Sequence, residues 1–129
     1  MTITVPTPGL GAFERSIQVE VPQLVEALRA LLGAQLVAYI GSVNETRAVR
    51  QWAEGERKPS QDAVRRLRLS LHAAGLLEER DHARVVQAWF QGMNPQLDDV
   101  APARLLREGD LDEIGPRVLA AARSFAAVG

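Results

Sequence analysis

The chain has 129 residues, a formal net charge of −1, no cysteine and only 5% aromatic residues. That length suits one ordinary domain, or two small units sharing a core. The missing cysteine excludes disulfide and thiol chemistry, and two histidines, His72 and His82, are too few for an all-imidazole metal cluster.

Alanine, leucine and arginine dominate while β-branched residues are sparse, so an all-α fold is predicted. Residues 1–12 carry two prolines and two glycines, and a loose arm is expected over residues 1–20. "VPQLVEALRALLG" reads as the first helix. Pro22 suits its first turn, and Leu24, Val25, Leu28, Leu31 and Leu32 recur at helical spacing. "AQLVAYIG" reads as a second, short helix closing at Gly41. "NETRAVRQWAEG" is a third, with Asn44 as expected N-cap, Glu45 in its first turn and Gly55 just past its end. "SQDAVRRLRLSLHAAG" is a fourth, capped by Ser60, stopped at Gly75, with an apolar stripe of Ala63, Val64, Leu67, Leu71 and Ala74. A fifth is expected from about Asp81 to Gln91, then a turn at Asn94-Pro95. Pro102 starts a sixth, "PARLLREG", ended by Gly109. The last covers roughly Leu111 to Ala127, with Pro116 either kinking it or marking its start.

The charges are segregated. Ser42–Ser70 holds seven Arg/Lys against four Asp/Glu, whereas Glu78–Glu113 holds nine Asp/Glu against four Arg. A basic middle and an acidic rear point to two surfaces with different partners. No phosphate-cradling glycine motif is present, and no nucleophile–base–acid set can be assembled, so no catalytic residue, metal or cofactor is assigned and an enzyme is not expected. The opening "MTITVPTPGLG" lacks the basic stretch and apolar core of a secretion signal, and the most apolar run is broken by Arg29 and Gln35. A cytoplasmic protein without membrane contact is expected.

Two short helices joined by a turn containing glycine suit a helix-turn-helix. On the second, at about 100° per residue, Ala48, Val49 and Trp52 share one side and Arg47, Arg50, Gln51 and Glu54 the other. The first side is expected to pack on Leu36, Val37 and Ile40, with Trp52 in the core. The second offers guanidinium and amide groups for phosphates and base edges, and Arg57 and Lys58 follow as phosphate contacts. "LVAYIG…VRQWAEGERKP" resembles the Xre/Cro-type repressors through Val49, Trp52, Gly55 and Pro59 in order. The segment from Gly41 to Val49 is about two residues longer than the common pattern, so a different turn is expected.

Downstream, Ala83, Val85, Val86, Trp89 and Phe90 spread over nearly half of one helix, and the last helix is apolar on two sides: Val118, Ala121, Phe125 and Val128 on one, Leu119 and Ala126 on the other. Either both sides are buried within one chain, or one is left for a partner. The segment from Trp89 to Val128 resembles the toxin-binding domain of the Xre/MbcA/ParS-type antitoxins. The carrying residues are Trp89, Asn94, Leu97, Pro102, Leu105, Leu106 and Gly109 in "WFQGMNPQLDDVAPARLLREGD". Many members of that family have glycine near the positions of Asp98 and Asp99.

The resemblance implies a helix-turn-helix region over residues 21–77 and a toxin-binding region over 78–129. It implies an antitoxin that covers the active site of a NAD-consuming RES-domain toxin and represses its own operon, with operator DNA as second partner. Two-fold operators imply a homodimer. Arg47, Arg50 and Gln51 are then the groove-facing candidates, and Leu119, Arg123 and Phe125 the toxin-contact candidates. Two rival readings are a stand-alone helix-turn-helix regulator and a protein inhibitor without DNA binding.

Overall fold

The computed structural model describes residues 9–128, and the fold is all-helical. The elements are α1 (Leu10–Gln18), α2 (Val21–Leu32), α3 (Ala34–Ile40), α4 (Thr46–Ala53), α5 (Gln61–Glu78), α6 (Ala83–Gln91), a 3-10 turn at Pro95–Leu97, α7 (Pro102–Glu108) and α8 (Leu111–Val128). Among the described residues no helix is long and apolar enough to cross a membrane.

α5 runs through the middle and touches nearly every other helix. Its Ser60 N-cap accepts a hydrogen bond from the Ala63 amide at 3.1 Å, as the capping pattern predicts. The predicted stripe is buried at Ala63, Leu67, Leu71 and Ala74, and half-buried at Val64. Gly75 does not end the helix, which continues to Glu78. Its role is packing: a Cβ there would lie 2.8 Å from the Ala12 Cβ of α1. The missing side chain lets α1 lie directly against α5.

The loose arm expected over residues 1–20 is corrected by that contact. Residues 1–8 lie outside the described residues, but Leu10–Gln18 is helical. It starts after Gly9, whose positive φ of 82° suits glycine, and buries Ala12 and Ser16, four residues apart, against α5. Both are small, so the buried contact leaves no apolar signal in the sequence, while Leu10, Phe13 and Ile17 of the same helix stay exposed. Tertiary packing supplies the stability.

The helix ends are closed across elements. Carbonyls of a helix's last turn have no partner within it. Arg68 of α5 donates to the Ser16 and Val19 carbonyls at the end of α1, at 3.2 and 2.7 Å. Arg66 of α5 donates to the Leu106 and Gly109 carbonyls at the end of α7, at 2.8 and 2.9 Å, and to Asp62 at 2.7 Å. Gln87 of α6 donates to the Leu31 carbonyl of α2 at 3.0 Å. Arg107 of α7 donates to the Tyr39 carbonyl of α3 at 2.8 Å.

A single hydrophobic core runs from α1 to α8, including Leu28, Val37, Trp52, Leu67, Phe90, Leu106 and Val118. The regions 21–77 and 78–129 therefore share one interior. α8 passes through Pro116 without a break, starting at Leu111. Asp110 sets that start by accepting the Asp112 amide at 3.0 Å.

Replacing Gly75 by valine forces a branched side chain into the α1–α5 contact. We expect a loss of about 1–3 kcal/mol in chemical denaturation, with hydrogen exchange accelerated over Leu10–Gln18.

Candidate nucleic-acid interface and apolar groove

The geometry of α4 follows from its buried side. Ala48, Val49 and Trp52 are all buried, in one core with Leu36, Val37 and Ile40 as predicted. Gly41 makes this possible: a Cβ there would lie 2.9 Å from the Trp52 ring. The connection Gly41–Glu45 is longer than a turn of about three or four residues, and it bends through Ser42 at φ 59°. Asn44 is not the N-cap. Glu45 holds that position, with no side-chain capping bond, so Glu45 stands just outside the helix instead of in its first turn. Gly55 follows the last turn at φ 76°, a position suited to glycine.

Fixing the inner side of α4 turns the other side outward. Arg47 and Arg50 are exposed and Gln51 is half-buried. Arg57 and Lys58 are exposed in the loop that follows. Arg47, Gln51 and Arg57 share a cleft of about 460 Å³ with Ser42 and Asn44. Arg50 does not line it. Its guanidinium pairs with Glu54 at 2.8 Å and lies 4.0 Å from Glu56. The structure thus brings three of the five DNA-contact candidates to one cleft and ties a fourth to carboxylates. Guanidinium and amide groups in that setting suit phosphate and base-edge acceptors.

The residues carrying the toxin-binding resemblance form a corner. Asn94 accepts the Gln96 amide on Oδ1 at 2.9 Å, and its carbonyl accepts the Leu97 and Asp99 amides at 2.9 Å each. Leu97, Pro102 and Leu106 are buried and Leu105 half-buried. Gly109 ends α7 where a Cβ would lie 2.7 Å from the Leu105 carbonyl. Asp98 and Asp99 take left-handed backbone at φ 56° and 63°. Aspartate tolerates that region better than most residues. Asp98 also pairs with Arg117 at 2.8 Å.

Trp89 packs edge-on to Phe90, with ring centroids 5.1 Å apart, and forms a wall of an apolar groove of about 700 Å³. The groove lies between α6, the 3-10 turn and α8, and is lined by Val85, Ala88, Met93, Phe125 and Val128. Among the described residues, Arg84 is its one charged lining residue. Met93, Phe125 and Val128 are exposed. Sequence reading missed Met93 and Arg84, because an isolated methionine before a turn carries no periodic signal.

The three toxin-contact candidates on α8 do not form one surface. Phe125 lies in the groove. Arg123, two residues back and so about 200° round the helix, is exposed on another side. Leu119 is half-buried against the core. The predicted stripe of α8 is split along its length, and Leu119 and Ala126 on the other side are half-buried. Val118, Ala121 and Ala122 are sealed inside, while Phe125 and Val128 are open.

Among the described residues, no group of three or more His, Asp or Glu gathers to hold a metal ion. His72 is buried beside Phe13, with ring centroids 5.4 Å apart. Burial, and secondarily the Arg123 guanidinium, holds its imidazole below the ordinary value of 6.5. No protein-family model, no curated protein and no solved structure matches the chain.

A histidine with a lowered folded-state pKa favours the fold while it is neutral. Its contribution is full above 6.5 and is lost as pH falls below that value toward the folded-state pKa. We expect the urea midpoint to drop on acidification across that range. Arg123→Gln removes one of the two causes, and the His72 titration followed by proton NMR should move up toward 6.5.

Proposed function

We propose that the chain is the antitoxin of a type II toxin–antitoxin pair, which represses its own operon and neutralises a NAD-consuming RES-domain toxin. The observation that carries the reading is that one shared core holds two exposed surfaces of different chemistry. One is the arginine and glutamine face of α4 with its adjoining cleft. The other is the apolar groove between α6 and α8. The first suits an anionic duplex and the second an apolar segment of a partner protein.

DNA binding is assigned to Arg47, Gln51, Arg57 and Lys58, with Arg50 available once released from Glu54. Toxin binding is assigned to the groove, with Phe125 as the candidate retained from α8. A homodimer on a two-fold operator is part of the proposal. The exposed stripe of Leu10, Phe13 and Ile17 on α1 supports it as a face a second copy can cover. The proposal places the chain in the cytoplasm, with its DNA.

One observation favours a rival. Glu45, Glu54 and Glu56 stand among the basic groups of the α4 surface and Arg50 is already paired. That weakens the field toward DNA and suits an inhibitor that binds protein alone.

Two measurements separate the readings. The chain should shift duplex DNA from upstream of its own gene at low salt, and Arg47→Ala should weaken that binding by about 1–3 kcal/mol. Co-expression should rescue cells from a RES-type toxin encoded beside it. Phe125→Asp, at a surface position, should abolish rescue while leaving the DNA shift. Rescue without any shift selects the inhibitor, and a shift without rescue selects a stand-alone regulator.

A further inference from the structure

A second cleft, of about 690 Å³, lies between α3, the start of α4 with the connection before it, and Arg107 at the end of α7. Its wall includes Gln35, Tyr39, Asn44, Thr46, Arg47 and Arg107. The two guanidinium groups come from distant parts of the chain: Arg47 from the first turn of α4, Arg107 from the last turn of α7. Among the described residues neither forms a salt bridge, whereas Arg50 and Arg104 nearby in sequence are paired with Glu54 and Glu108. Arg107 is also held in place. Its guanidinium carbon stands 4.7 Å from the centre of the Tyr39 ring, and Nη1 donates to the Tyr39 carbonyl at 2.8 Å. The other guanidinium nitrogens keep their donors for a ligand. A planar guanidinium fixed by stacking is pre-ordered for a phosphate.

This cleft adjoins the one holding Gln51 and Arg57, since Asn44, Glu45 and Arg47 line both. Arg47 thus stands between Arg107 on one side and Arg57 on the other. Three cations along adjoining open clefts match a polyanion with repeated charges better than a single small anion.

We propose that the α3–α7 cleft holds a backbone phosphate of duplex DNA, shared by Arg47 and Arg107. The inference rests on the DNA-binding reading and extends it: the C-terminal region itself contributes a DNA contact. Glu45, the one carboxylate on the wall, opposes the phosphate.

The test is binding to two duplexes, one from upstream of the gene and one unrelated, followed by fluorescence anisotropy over a salt series. Arg107→Gln should lower affinity by the same factor, about tenfold, on both duplexes, because a phosphate contact carries no sequence information. It should reduce the slope of log affinity against log salt by about 0.9, one phosphate contact. Arg107→Lys should retain the slope. Glu45→Gln should tighten binding several-fold, and Arg104→Gln should leave it unchanged. Thermal unfolding of each variant separates loss of the contact from loss of the fold, and the lysine and Glu45 variants test the charge where Arg107→Gln is unstable. An unchanged slope in a folded Arg107→Gln, with the unsubstituted chain binding normally, overturns this inference alone. Absence of binding by the unsubstituted chain at low salt overturns the DNA-binding reading with it.

Discussion

Two arginines on one helix hold the ends of two others. Arg66 and Arg68 are two residues apart on α5, and they close the carbonyl ends of α7 and α1 respectively. Between them Leu67 points into the core and is fully buried. Hydrogen bonds from a charged donor contribute about 1.5–3 kcal/mol each, and an unpaired buried carbonyl costs a similar amount. The placement of α5 therefore decides where the front and the rear of the chain meet.

One consequence concerns independence. A helix-turn-helix followed by a binding tail reads naturally as two modules, of which the first survives removal of the second. The core does not divide in that way. Cutting after Gly92 would remove Leu97, Leu106, Ile114, Val118, Ala121 and Ala122 from the interior that also contains Leu67 and Leu71. The front helices are then left with an exposed apolar face. Arg107 crosses the same division in the opposite sense, closing the end of α3 from α7. The rear helices and α4 therefore rest on one shared interior.

The backbone is unusual at two connections. The lengthened connection before α4 passes through Ser42 in the left-handed region, and the corner before α7 passes through Asp98 and Asp99 in succession. Ser42 lines the cleft beside α4, and Asp98 and Asp99 follow the 3-10 turn directly. Short polar residues hold the left-handed backbone there at some conformational cost, and they leave hydroxyl and carboxylate groups on the surface. At the rear, Asp98 uses its carboxylate to hold Arg117 of α8.

Much of the architecture was legible from local chemistry. Pro22, Ser60, Asn94, Pro102 and Gly109 punctuate the chain as their backbone preferences dictate. The inward side of α4, with Ala48, Val49 and Trp52, followed from spacing alone. These features depend on a few adjacent residues, so the amino-acid order contains them. Other features depend on distant residues. α1 packs on α5 because Ala12 meets it at Gly75, and no local pattern announces that contact. Along one stripe of α8, Val118 and Ala121 are covered while Phe125 and Val128 stay open. Periodicity identifies which residues share a face. Only packing decides which face is covered, since burial is a property of neighbours far away along the chain.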